Sequence, residues 1–199
     1  MARKETDVMA DARQNLVGAF EGVGDVAGAI VDAVSGTVVR TLQGTRAVGQ
    51  ELIGLVFDTV TGTVHGVAEV GVEVADAAKS IMVGALRGTR QVGNVTLDTI
   101  GGSAAAVVKT THEVGGNVGR AARGAVEGAI EAARDLGLDV EEAASAAASG
   151  ALRAAGEIGS EAVDQVRKVL TGTVQGVKVV LKEPFRSDGN GGASKGGKP

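Results

Sequence analysis

An all-α protein of amphipathic helical repeats is what this sequence predicts, on three observations. From Arg13 to Val177 the chain divides into fifteen consecutive blocks of eleven residues with no insertion. Apolar residues recur in these blocks at positions 3, 4, 7, 8 and 11, which at 3.67 residues per turn lie side by side over roughly 130° of a helix. A strand would need a period of two, and the register has none. The expected architecture is a long hendecad-repeat helix or helices, either continuous or folded back into hairpins, and partly disordered without a surface or partner.

Taken in order, residues 1–12 (MARKETDVMADA) are charged and alanine-containing, and predict a frayed helical start. Residues 13–183 form the repeat region. Its true unit is a 22-mer of two unlike elevens. Glycine stands fourth in alternate blocks, at Gly49, Gly71, Gly93, Gly115, Gly137 and Gly159. The intervening blocks carry it sixth and tenth, at Gly18 and Gly22, Gly62 and Gly66, Gly84 and Gly88, and Gly172 and Gly176. These Gly-x-x-x-Gly pairs are candidates for close helix–helix packing. Pro184 ends the repeat, since proline stops a helix at about the preceding residue. Residues 184–199, rich in Gly, Ser and Lys, predict a disordered tail.

The stripe supplies the candidate lipid-binding or helix-packing face. Its largest members are Leu16, Phe20, Ile30, Leu42, Leu52, Ile53, Phe57, Ile81, Met82, Leu86, Leu97, Ile130, Leu136 and Leu170. Position 1, at one edge, is mostly basic: Arg13, Arg46, Lys79, Arg90, Arg123, Arg134, Arg167 and Lys178. This row is the candidate interfacial basic flank, with long side chains able to reach anionic head groups. Position 2, nearer the other edge, is often acidic (Asp25, Asp58, Glu69, Glu113, Asp135, Glu157), with small residues at positions 6 and 10 between it and the stripe. Position 9 adds acids three residues before a base, as in Asp76–Lys79, Glu131–Arg134 and Asp164–Arg167. Oppositely charged flanks suit helices lying side by side.

Composition narrows the function classes. Apolar residues are 44% of the 199, nearly all Ala and Val, with three Phe and no Trp or Tyr. That disfavours a globule with a deep pocket. A net charge of −4 argues against a nucleic-acid partner. Without cysteine there is no disulfide framework or thiol chemistry. The N-terminus lacks the apolar core of a signal peptide, and no run matches a spanning helix, so the expected location is cytoplasmic, peripheral on a membrane, lipid droplet or granule.

No catalytic constellation assembles from the sequence. His65 and His112 occupy different repeat positions, far from the clustering a metal site needs. The pair Glu141–Glu142 reads as a solvated face. Asn94-Val95-Thr96 matches a glycosylation acceptor by chance, and Gly101-Gly102 lacks the Gly-Lys-Ser/Thr ending of a phosphate loop. The expectation is a protein that is not an enzyme, with no cofactor, metal or small-molecule substrate.

Twenty-seven glycines lie between residues 13 and 177. At about 0.8–1 kcal/mol each against alanine, they make an isolated helix poorly formed in water. An apolar surface outside the helix must offset that cost.

The segment Thr61-GTVHGVAEVGVEVAD-76 resembles the membrane-binding repeats of synucleins. The 22-residue doublet is similar to that of exchangeable apolipoproteins, and the general style to perilipins and bacterial phasins. The resemblance covers about 165 residues and is one of repeat pattern. It implies a peripheral protein that coats a lipid or storage-granule surface. The alternative is a structural or stress-protective helical protein, in the manner of late-embryogenesis-abundant proteins, that buries the stripe in its own hairpins or in a homo-oligomer. Breaks would then fall at Gly101-Gly102, Gly115-Gly116 or Gly137. The Val/Thr-rich stretch Thr171–Leu181 carries β propensity.

Overall fold

The computed structural model describes residues 26–43, 50–69, 71–93 and 95–180. These form seven helices: α1 (Val26–Gln43), α2 (Gln50–Glu69), α3 (Val74–Val92), α4 (Leu97–Glu113), α5 (Val118–Leu136), α6 (Val140–Ile158) and α7 (Ser160–Leu170). A short antiparallel hairpin follows, β1 (Thr173–Val174) paired with β2 (Val177–Lys178). The all-α expectation holds, but the repeat is cut into helices of 11 to 20 residues packed on one another. The predicted N-terminal element 1–12 and tail 184–199 lie outside the described residues.

Among the described residues, each 22-residue unit from Gln50 to Ile158 makes one helix, and the fourth-position glycine follows it in the turn. Gly71, Gly115 and Gly137 have φ of 78°, 76° and 67°, a left-handed conformation open to glycine at little cost. Around them the same hydrogen bonds recur. The N–H of Val72 donates to Val67 O, that of Gly116 to Thr111 O and that of Leu138 to Ala133 O, at 3.2, 2.8 and 2.9 Å. Asn117 and Asp139 open the next helices by accepting the N–H of Arg120 and Glu142, each at 2.8 Å. At Gly93 the backbone is extended, and one more residue passes before Thr96 caps α4. Gly101-Gly102 is no break: both are buried inside α4.

Turns this short reverse the chain, so consecutive helices are antiparallel and alternate ones parallel. The closest packing is between helices two places apart, α1 on α3, α3 on α5 and α4 on α6, which sets two layers: α1, α3, α5 and α7 in one, α2, α4 and α6 in the other. Within a layer the partners climb together along both helices. Ile53 covers Gly102 and Thr61 meets Thr110; Ala75 faces Gly124 and Lys79 faces Gly128; Gly101 faces Gly150, all 49 residues apart. In the first step, α1 on α3, Val31 faces Gly84 and Ser35 faces Gly88, one turn further on. The slip follows the glycine pair, which stands at 84 and 88 in α3 but at 124 and 128 in α5.

The apolar stripe lies between the layers. Ile30, Ile81, Met82, Leu86, Ile100, Ile130 and Leu170 are its largest fully buried side chains, set among alanine and valine. Buried threonines join this core because their hydroxyls donate to carbonyls one turn back: Thr59 to Leu55, Thr63 to Thr59, Thr89 to Ala85 and Thr111 to Val107. The last block leaves the helical pattern. After Leu170 it turns at Gln175-Gly176, with φ of 49° and 79°, into the hairpin. Val174 and Val179 then cover the end of the core.

Candidate functional site

Three surfaces are built from the predicted residues: the stripe, the seams between neighbours in a layer, and a groove on the outer face of the α4–α6 layer. In the stripe, Ile30, Ile81, Met82, Leu86, Ile130 and Leu170 are at most 1% exposed, and Leu42 is 6% exposed. Leu52, Ile53, Phe57 and Leu136 are half-buried. Leu97, in the first turn of α4, stands 48% exposed. Leu16 and Phe20 lie outside the described residues.

The seams bring glycine against backbone. A Cβ added to Gly84 would lie 2.7 Å from Val31 O, and one added to Gly88 would lie 2.8 Å from Ser35 O. On Gly128 it would lie 2.5 Å from Lys79 O, and on Gly150 it would overlap the Gly101 carbonyl. Gly62 and Gly66 are buried within α2. Gly172 and Gly176 stand apart from this packing: both are exposed, at positive φ, around the hairpin rather than in a helix. Gly18 and Gly22 lie outside the described residues. Gly124, Gly128 and Gly150 extend the set; they occupy positions 2, 6 and 6 of their blocks, the first of these off the sixth-and-tenth pattern.

Charge runs along the same seams. Lys79 of α3 pairs with Glu131 of α5 at 2.6 Å, rather than with Asp76 on its own helix. Arg120 of α5 holds both Glu73, just before α3, and Asp76 of α3, at 2.6 and 2.5 Å, and Arg87 of α3 meets Asp135 of α5 at 2.5 Å. Arg87 and Arg120 fall outside the predicted basic row. Their signal lies in charge complementarity at separations of 44 to 48 residues, not at helical spacing. Within the predicted row, Arg123 pairs with Glu127 at 2.9 Å, and Arg134 donates to Gln175 O at 3.5 Å. Arg90, Arg167 and Lys178 are exposed, while Arg13 and Arg46 lie outside the described residues.

The groove, of about 900 Å³, lies where α4 and α6 touch through small residues. Gly101, Gly102, Ala146 and Gly150 line it without bulk, and Ile53, Leu97 and Val180 supply apolar walls. Asp98, Glu141 and Glu142, in the first turns of the two parallel helices, make one end acidic, and Arg153 lies further along α6. The Ser149 hydroxyl is buried there without a hydrogen-bond partner.

Among the described residues no group of three His, Asp or Glu side chains could hold a metal ion. His65 is half-buried in α2 and His112 is exposed at the end of α4. No described helix is long and apolar enough to cross a membrane. No protein-family model matches the chain, and no curated protein matches it.

Proposed function

We propose that the protein is a structural helical-repeat protein whose amphipathic stripe serves its own packing. The observation that carries this reading is the burial of Ile30, Ile81, Met82, Leu86, Ile130 and Leu170 against neighbouring helices of the same chain. Burial stabilises by about 25 cal/mol per Å² of apolar surface, which offsets the helix-weakening effect of glycine. The glycines in turn let the helices of a layer approach until backbones touch, so small side chains fill the core. A stress-protective role would use this self-contained fold without substrate or cofactor.

A second reading, a peripheral coat on a lipid or storage-granule surface, draws support from one further feature. The described turns at Gly71, Gly115 and Gly137 are short and glycine-centred, and most of the large stripe residues between them are buried. Straightening the turns would present the same stripe to an interface, with Arg and Lys along its edge.

Far-ultraviolet circular dichroism of the purified protein, with and without anionic vesicles, separates the two. The structural reading expects helix in buffer, a cooperative melt and an unchanged spectrum on vesicles. A chain that is largely unfolded in buffer and turns helical on vesicles sinks it and supports the coat.

A further inference from the structure

We infer that the groove on the outer face of the α4–α6 layer is the docking site for the chain's own next segment, Leu181 to Arg186. The described chain ends in the groove. The Val180 N–H donates to Ser145 Oγ of α6 at 3.2 Å, and the Val180 side chain lines the wall. Two of the three large hydrophobic residues exposed among those described, Leu97 at 48% and Val180 at 51%, face this groove. An apolar covering here removes surface that the rest of the fold keeps buried.

The sequence after Val180 has the complementary chemistry. Leu181 and Phe185 are apolar, and Phe185 is one of only three phenylalanines in the chain. Lys182 and Arg186 are basic and outnumber Glu183, which gives the segment a net positive charge against Asp98, Glu141 and Glu142 at the groove's acidic end. Proline lacks an N–H and disfavours a helical residue before it, so a Pro184-containing segment suits an extended occupant of a shallow groove. Reach is sufficient. Five extended residues span about 17 Å, and Leu97 stands on the helix next to Ser145, with packed helices about 8–10 Å apart. Leu97 and Ile53 line the groove and offer the Phe185 ring apolar walls.

The chain has no cysteine, so disulfide trapping in the full-length protein tests this directly. Leu97→Cys with Phe185→Cys, in dilute solution under a glutathione redox buffer, is expected to close an intramolecular disulfide about tenfold more readily than Leu97→Cys with Ser194→Cys, through a higher effective concentration. Leu97 is exposed, so the substitution leaves the core intact. Equal closure in the two variants overturns the proposal. Disulfide-linked dimers in place of closed monomers also overturn it, and assign the groove to a second copy.

Discussion

Gly150 and Gly156 lie in the same helix, and their surroundings decide opposite outcomes for one substitution. At Gly150 a methyl group would overlap the Gly101 carbonyl, whereas at Gly156 nothing lies within 4 Å. Alanine gains helix propensity at both positions. At Gly150, forcing the two helices apart costs about 1–3 kcal/mol, which exceeds the gain of about 1 kcal/mol. Gly150→Ala is therefore expected to lower the urea midpoint, and Gly156→Ala to raise stability by about 0.4–1 kcal/mol. Equal shifts of one sign in the two variants would refute the backbone-contact account of the seams. The sequence marked Gly84 and Gly88 as close-packing positions by their spacing. It could not separate them from Gly172 and Gly176, which share that spacing but flank a hairpin.

At the scale of the element, the 22-residue unit is a helix followed by a glycine turn, and α4, α5 and α6 open on the side-chain caps Thr96, Asn117 and Asp139. Gly137 and Gly93 occupy the same place in their units, yet φ is 67° at one and −173° at the other. Gly137→Ala is expected to lower stability by about 1 kcal/mol or more and Gly93→Ala by less, read from thermal melts followed by circular dichroism. Asp139→Ala, which leaves the Glu142 N–H without its side-chain acceptor, is expected to cost about 0.5–2 kcal/mol. A variant that melts like the parent would remove the capping argument at that turn. The period was legible in the sequence, but its meaning at position 4 was not. Eleven residues complete three helical turns, so an unbroken helix and a chain broken every second block show the same stripe. Gly101-Gly102, Gly115-Gly116 and Gly137 stood out as candidate breaks; Gly115 and Gly137 turn, whereas Gly101-Gly102 is helical, with Gly101 packed against the Ala146 and Gly150 backbone.

Across the whole molecule, close packing and charge both join α3 to α5, and their magnitudes differ. The pairs made by Arg120, Lys79 and Arg87 involve side chains at least two-fifths exposed. Such pairs contribute about 0.2–1 kcal/mol each and are screened by salt. Arg120→Gln is therefore expected to destabilise by about 1 kcal/mol or less at low salt, and the difference from the parent should shrink at about 1 M salt, where the screening length is about 3 Å. A loss that persists undiminished in salt would mean that Arg120 acts through packing of its stem.

The sequence alone determined the helical class, the 22-residue unit and which residues form the apolar stripe, because these follow from local periodicity. Tertiary structure decided what the stripe is buried against, which glycines turn and which pack, and which charges meet. Those outcomes depend on residues about 44 to 56 positions apart along the chain. Their proximity comes from the stacking of alternate helices, a geometry that no window of one or two repeats contains.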